Sequence, residues 1–173
     1  MAHPYRPLID TTAADLGLDP DLIEAVSWIE SSGNFAAYRY EPLFFRQYLA
    51  TNPSYGDRRP QEVSASYGLM QILYTTAVEM GFAGHPWELF APGTSLLYGA
   101  KYLKQLLHWS GALDDPTSDL KLRSALAAYN GGKHGNEPDG RPDRNAAYAD
   151  RVMQRLATVR TSRLGSTTET HDA

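Results

Sequence analysis

One acidic side chain, Glu30, ends an apolar helical stripe in the stretch "AVSWIESSGNF". It lies four residues after Val26 and seven after Ile23, so on a helix it stays close to the buried face. Burial and the C-terminal end of a helix dipole both disfavour a charged carboxylate, and both therefore raise its pKa. A carboxyl that keeps a proton near neutral pH is suited to general acid catalysis. The simpler interpretation is a Glu that caps the helix or forms a salt bridge.

Three other segments carry side chains that could hold a polar ligand. In "SYGLMQI", Gly68 permits close backbone approach and Gln71 offers an amide between apolar neighbours. In "ALAAYNGG", Tyr129 and Asn130 end a helix where both can face a cleft. Tyr148 places a hydroxyl on an otherwise apolar helical face, where it needs a buried partner. Each segment is weakly specific by itself, because an ordinary turn, a helix C-cap or core packing also accounts for it.

The elements that must position these residues are predicted to be helices. Asp19 is a suitable N-cap, Pro20 suits the first helical position and Gly33 is a natural stop, so this helix carries Glu30 near its end. Apolar periodicity predicts further helices up to Gly111 and over residues 118–129, with a small β element near Gln71. A last helix has four residues on its inner face: Tyr148, Val152, Leu156 and Val159.

The domain organisation follows from these elements and from composition. Residues 1–12 are predicted to be an irregular lead-in, 13–160 a single mainly helical domain, and 161–173 a polar, disordered tail. The beginning of the chain lacks the continuous apolar segment of a signal peptide, and no apolar run is long enough to span a bilayer.

Composition excludes several kinds of site. The chain has no cysteine, so disulfides, thiolate metal sites and thiol nucleophiles are excluded. The five histidines lack the spacing of a metal site, and no metal or cofactor is predicted. A net charge of −4 without a basic block weighs against nucleic acid as a partner.

Taken together and in order, the motifs resemble a known family. The run "ES" with "GNF", then "GLMQI", "YGAKYLKQLL", "ALAAYNGG" and a final Tyr148 is similar to the soluble lytic transglycosylase domain. This is glycoside hydrolase family 23, related to goose-type lysozyme, and the resemblance spans about Leu16 to Leu156. It implies a mainly α, lysozyme-like α+β fold with a sugar-binding groove. Acting as a monomer, such a domain would bind the glycan strands of peptidoglycan.

The resemblance also implies a chemistry and roles for residues. Glu30 would protonate the glycosidic oxygen between N-acetylmuramic acid and N-acetylglucosamine. As a carboxylate it would then take the proton of the muramic acid C6 hydroxyl, giving a 1,6-anhydro product. Met70 and Gln71 would contact sugar, Tyr129 and Asn130 would hold the acetamido region, and Tyr148 would orient Glu30. The full set of substrate-binding residues implied in this way is Ser66, Gly68, Leu69, Met70, Gln71, Tyr129, Asn130 and Tyr148.

Departures from the family pattern leave alternatives open. Tyr67 precedes "GLMQ" where many members have a small or basic residue, and the serine that assists the acid could be Ser64 or Ser66. The long interval before Gly68 carries three acids, any of which could activate water and make the protein a muramidase: Glu41, Asp57 and Glu62. Six of its aromatic residues either stack on sugar or form a satellite core: Tyr38, Tyr40, Phe44, Phe45, Tyr48 and Tyr55.

A different class of function is a non-catalytic module of the cell wall or of a virion that keeps the groove without turnover. The retained Glu30 argues against it. The biological setting stays open between a phage endolysin or tail lysin and a periplasmic or secretion-associated enzyme.

Overall fold

The computed structural model describes residues 3–138 and 144–168, with side chains described up to residue 164. It is mainly helical with one small antiparallel sheet, which confirms the predicted fold class. The helices are α1 Arg6–Leu16, α2 Pro20–Ser31, α3 Pro42–Phe44, α4 Pro60–Val63, α5 Tyr74–Glu79, α6 Pro92–Ser110, α7 Asp119–Gly131 and α8 Ala146–Thr168. The strands are β1 Tyr38–Tyr40, β2 Ala65–Tyr67 and β3 Ile72–Leu73. A π-helical turn, Phe45–Leu49, follows α3, and a 3₁₀ turn, Pro86–Phe90, precedes α6.

The ends of the main helices follow the capping residues in the sequence. The Asp19 carboxylate accepts a hydrogen bond of 2.8 Å from the backbone N–H of Asp21, and Pro20 is the first residue of α2. Helix α6 ends at Gly111, whose φ of 75° places it in the left-handed region. Helix α2 ends at Ser31, and the next two residues, Ser32 with φ of 54° and the predicted stop Gly33 with φ of 77°, are both left-handed.

The first part of the chain differs from the prediction of an irregular lead-in over residues 1–12. Helix α1 begins at Arg6 and buries Ile9 in the core. Pro7 lies in its first turn, where a backbone N–H has no helical acceptor, so the proline costs little. Arg6 also forms ion pairs of 2.8 Å with Asp21 and 2.6 Å with Glu24, which join α1 to α2. Residues 1–2 lie outside the described chain.

The C-terminal part also differs from the prediction of a disordered tail over 161–173. Helix α8 continues to Thr168, and residues 169–173 lie outside the described part. Two ion pairs attach this polar part of α8 to the start of α2. Arg160 lies 2.6 Å from Asp19, and Arg163 lies 2.5 Å from Asp21, so both arginines join α8 to the start of α2.

Buried apolar residues form two clusters, which give the domain a helical side and a sheet side. The helical cluster joins α1, α2, α6, α7 and α8 through residues such as Ile23, Leu103, Leu126 and Val152. The sheet cluster joins the strands, α5 and the 3₁₀ turn through Val63, Tyr67, Ile72 and Leu89. Within the described residues, no helix has an apolar stretch long enough to cross a membrane.

The sheet has two different faces because side chains alternate along a strand. In the order β1-β2-β3, Arg39 pairs with Ser66, and Ser66 pairs with Leu73. These three residues form one row across the sheet. The neighbouring row contains Tyr67 and Ile72, which belong to the sheet cluster. The first row therefore faces away from that cluster, toward the helical side.

Candidate active site

A cavity of about 530 Å³ is bounded by both sides of the domain. It brings together Glu30 and four of the predicted substrate-binding residues: Ser66, Gln71, Tyr129 and Asn130. Three residues that the sequence analysis considered as alternatives also line it: Glu41, Phe44 and Tyr48. Further lining residues were not predicted, among them Arg39, Leu73, Thr75, Thr76, Glu79 and Tyr102.

Glu30 lies in the last turn of α2, half-buried at the wall of this cavity. The buried Tyr148, from α8, donates a hydrogen bond of 2.5 Å from its hydroxyl to Oε1 of Glu30. The contact exists because α8 packs along α2 and presents Tyr148 on its buried face. One carboxylate oxygen of Glu30 is therefore fixed by a neutral donor, as expected for a residue that Tyr148 orients.

Burial raises the pKa of the Glu30 carboxyl above its usual value. Three groups act in the opposite direction: the hydrogen bond from Tyr148 and the positive charges of Arg39 and Arg151. Burial also raises the pKa of Tyr148 and of Tyr129 well above the usual value, and the negative charge of Glu30 adds to this. Both phenols therefore stay protonated and act as donors, while its raised pKa suits Glu30 to exchange a proton.

The "GLMQ" segment is a tight turn that is hydrogen-bonded to α2. Gly68 has φ of 70°, and a Cβ on it would lie 2.4 Å from the carbonyl oxygen of Leu89, so only glycine fits. The Leu69 carbonyl accepts hydrogen bonds from the hydroxyls of Ser27, at 3.3 Å, and Ser31, at 2.9 Å. Ser31 follows Glu30 directly, so the turn is tied to the helical turn that carries the acid.

Two predicted ligands, Leu69 and Met70, do not reach the cavity. Both side chains are fully buried in the helical cluster, so the prediction that Met70 contacts sugar is wrong for its side chain. The backbone of Met70 instead donates to Ser95 Oγ at 3.1 Å and accepts from the Tyr129 hydroxyl at 2.9 Å. Gly68, Leu69 and Met70 therefore position the turn, and Tyr148 lies behind Glu30.

Gln71 is the residue of this turn that lines the cavity. Its φ of 44° is uncommon for a residue with a side chain, and such conformations are found preferentially at functional sites. Its Nε2 donates to the carbonyl oxygens of Ala37, at 3.0 Å, and Gly68, at 3.1 Å. The side chain is therefore held at the point where β1 meets the turn.

The remaining predicted residues differ in accessibility. Asn130 is exposed at the end of α7, and its Nδ2 donates to Oδ1 of Asn145 at 3.2 Å. Of the two serines left open, Ser66 lines the cavity. Ser64 is fully buried and donates to the carbonyl oxygen of Glu41 at 2.7 Å. The structure thus brings Ser66, and not Ser64, to the site.

Charged residues from the sheet side complete the cavity. Arg39, in the middle of β1, and Glu41, which follows the strand, form an ion pair at the cavity wall. Asp57 is exposed in a loop outside the cavity, and Glu62 faces Arg59 at 3.4 Å. The sequence Tyr-Arg-Tyr could have indicated where the Arg39 side chain lies. Side chains alternate along a strand, so Arg39 is on the face of β1 opposite to that of Tyr38 and Tyr40. In the described ranges, no group of three or more His, Asp or Glu residues could hold a metal ion.

Comparison with known proteins gives consistent similarities. The family model described as the transglycosylase SLT domain matches residues 7–153. Membrane-bound lytic murein transglycosylase C of Photorhabdus laumondii is 30% identical over 139 residues, which cover 76% of this chain and 32% of that protein. This chain therefore spans about a third of the length of that relative.

Two solved structures share the fold. An inactive mutant of the lytic transglycosylase Slt from Pseudomonas aeruginosa superposes with a TM-score of 0.64 at 19% identity, over 92% of this chain and 25% of that one. The 70 kDa soluble lytic transglycosylase of Escherichia coli gives a TM-score of 0.59 at 18% identity, over 91% and 24% of the two chains. At these identities the likeness describes the fold.

Proposed function

The chain belongs to the transglycosylase SLT domain family, and on this basis we propose that it is a peptidoglycan lytic transglycosylase. It cleaves the β-1,4 bond between N-acetylmuramic acid and N-acetylglucosamine. The observation that carries the proposal is the arrangement of Glu30, a half-buried carboxyl at the cavity wall with a raised pKa and a 2.5 Å hydrogen bond from Tyr148. This arrangement fits a group that first gives and then takes a proton.

In the first step Glu30 acts as an acid. Its carboxyl gives a proton to the glycosidic oxygen while the bond from that oxygen to C1 of the muramic acid breaks, and the bonding electron pair leaves with the oxygen. The acetamido group of the muramic acid stabilises the positive charge that develops at C1. The leaving sugar departs with a free hydroxyl, and Glu30 remains as a carboxylate.

In the second step the same carboxylate acts as a base. It removes the proton of the C6 hydroxyl of the muramic acid while O6 forms a bond to C1, which closes the 1,6-anhydro ring. Glu30 is protonated again and no water is consumed. One protein carboxylate is sufficient, in contrast to glycosidases that use a pair. The positive charges of Arg39 and Arg151 support the carboxylate form between the two steps.

The other residues at the cavity supply binding and orientation in this proposal. Gln71 and Ser66 offer polar atoms on the sheet side, and Asn130 offers them at the end of α7. Tyr148 holds the Glu30 carboxyl from behind, and Tyr129 ties the "GLMQ" turn to α7. The cavity thus presents the acid between two polar walls.

The substrate class in this proposal is the glycan strand of peptidoglycan, bound by a monomer that acts at the bacterial cell wall. Delivery by a phage or action in the periplasm are both compatible with it. At a net charge of −4 the protein gains no long-range attraction to an anionic wall, so recognition rests on contacts in the cavity.

The test is the substitution Glu30→Gln, which keeps the shape of the side chain and removes its proton chemistry. Wild-type protein is expected to release muropeptides from purified sacculi in the 1,6-anhydro form, one water lighter than a hydrolysed product, by mass spectrometry. The variant is expected to fold and to release none above the uncatalysed background. Glu62→Gln, a substitution of the same type outside the cavity, is the matched control. Undiminished release by Glu30→Gln would remove Glu30 from the mechanism.

A further inference from the structure

The segment between β1 and α4 adds an aromatic wall to the cavity, formed by Phe44 and Tyr48. Their ring centroids lie 5.0 Å apart with an interplanar angle of 48°, and both residues line the same cavity as Glu30. Tyr48 is 55% exposed, although it is a large aromatic residue in an ordered segment. An exposed ring at the edge of a cavity leaves one face free for a ligand.

Core packing accounts for other aromatic residues of the segment but not for Tyr48. Phe45 and Tyr55 pack against the sheet cluster, as Phe44 does in part, and Leu49 is buried in it. Tyr48 has no place in that cluster. The sheet cluster therefore does not account for the position of Tyr48, whose ring contacts Phe44 at the cavity.

The backbone that presents Tyr48 is itself unusual. The turn Phe45–Leu49 is π-helical, with the backbone N–H of Ala50 donating to the carbonyl oxygen of Phe45 at 2.9 Å. Single π-helical turns are rare and are found frequently at functional sites. The turn holds Leu49 in the sheet cluster while the preceding Tyr48 stays at the cavity.

A polar pair lies beside the aromatic wall. Glu41 immediately precedes α3, and its ion pair with Arg39 lines the cavity three residues before Phe44. The pair offers carboxylate oxygens as acceptors and guanidinium N–H groups as donors. A pyranose ring has a face of C–H groups and a rim of hydroxyl and amide groups, so an aromatic face flanked by a donor and an acceptor matches it.

We propose that Phe44 and Tyr48, with the Arg39–Glu41 pair, form a further subsite for an N-acetylhexosamine ring of the same glycan strand. The proposal rests on the proposed function, because the occupant is the strand that also reaches Glu30. Continuity identifies this occupant, since the aromatic wall and the acid line one cavity. The subsite binds a ring and takes no part in proton transfer.

The test separates binding from turnover. In the Glu30→Gln background, calorimetry measures the affinity for N-acetylglucosamine oligomers of three to six units, with and without Tyr48→Ala. We expect Tyr48→Ala to weaken binding of the longest oligomer about tenfold, the factor that corresponds to 1.4 kcal/mol, and to affect the trimer less. Tyr48→Phe keeps the ring and is expected to retain the affinity.

Leu43→Ala is the matched control, because Leu43 is 68% exposed in the same segment and lies outside the cavity. It is expected to bind every oligomer like the parent protein. Equal affinities of Tyr48→Ala and Leu43→Ala, or no binding of any oligomer by the Glu30→Gln protein, would overturn the subsite. Loss of affinity in Tyr48→Ala would support it even if Glu30→Gln kept its activity on sacculi, so the two proposals fail separately.

Discussion

Tyr148 and Glu30 lie 118 residues apart in the chain and are joined by a 2.5 Å hydrogen bond from the phenol to Oε1 of the carboxylate. Tyr148 is buried, and Glu30 lies between it and the cavity. The bond stabilises the charged form of Glu30, whereas burial stabilises the neutral form and has the larger effect. The pKa of this acid therefore depends on tertiary contacts, among them the packing of α8 on α2 and the charge of Arg39 from β1.

Tyr148→Phe removes this hydrogen bond and keeps the ring. We expect kcat on sacculi to fall about 10- to 100-fold, since a hydrogen bond to a charged group contributes about 1.5–3 kcal/mol. The bond lowers the pKa of Glu30, so without it the pKa is higher and the alkaline limb of the pH–rate profile moves to higher pH. Tyr98→Phe, outside the cavity, is the control. If Tyr148→Phe lowered the rate without moving the alkaline limb of the pH–rate profile, Tyr148 would have a structural role alone.

Glu30→Gln is expected to stabilise the protein at neutral pH. The pKa of Glu30 is raised in the folded state above 4.5, so the folded state binds more protons than the unfolded state, and stability is lost as the pH rises from about 4.5 through the folded pKa. Glutamine has no charge, so its burial does not cause this loss of stability with rising pH. Thermal unfolding should give a higher Tm for the variant at pH 7.5, by about 2–4 °C for each kcal/mol gained, and a smaller difference at pH 4. An equal difference in Tm at pH 7.5 and pH 4 would contradict the raised pKa of Glu30.

Glu41→Gln tests whether a second carboxylate takes part. Both members of the Arg39–Glu41 pair are partly exposed, at 59% and 36% of their side chains, so breaking the pair costs about 0–1 kcal/mol of stability. We expect release from sacculi to continue, with 1,6-anhydro products in the mass spectrum. If Glu41 activated water as a general base, the rate would fall by about 10²–10⁴ and the wild-type products would contain the added water.

Gly68→Ala is expected to destabilise the fold strongly. The added Cβ would lie 2.4 Å from the Leu89 carbonyl oxygen, and the φ of 70° is unfavourable for alanine. Urea unfolding should show a loss of about 2–4 kcal/mol, in the range of substitutions that strain the backbone or overpack a core. Gly93→Ala is the control, because nothing lies within 4 Å of its added Cβ and its φ is not left-handed. A loss of stability in Gly68→Ala no greater than that in Gly93→Ala would show that the turn can relax.

Local sequence signals predicted the main helices and the residues at their ends. Asp19, Pro20 and Gly111 act through contacts within one or two turns of chain, so their effects are readable without the fold. The prediction of an irregular lead-in was wrong, since helix α1 begins at Arg6. This residue is fixed by Asp21 and Glu24, which belong to another helix. The prediction of a disordered tail from residue 161 was wrong for the same reason, because Arg160 and Arg163 pair with residues at the start of α2.

The candidate site shows the same division. Glu30 and Gln71 were singled out from residue type and position, and both line the cavity, whereas the side chain of Met70, which only the family resemblance implied as a sugar contact, is buried in the core. The face on which a residue of a short turn lies depends on how the turn is fastened, here by Ser27 and Ser31 to the Leu69 carbonyl. Sequence spacing carries no information on that long-range contact.

The sequence by itself determined the family, the helical class and the identity of the one acid at the end of an apolar stripe, because periodicity, capping and motif order are local properties. Only the tertiary structure decided which side chains share the cavity with that acid. It brought Arg39, Glu41 and Tyr48 to the same wall and placed Tyr148 behind Glu30. The physical reason is that burial, pKa and accessibility depend on the packing of segments far apart in the chain.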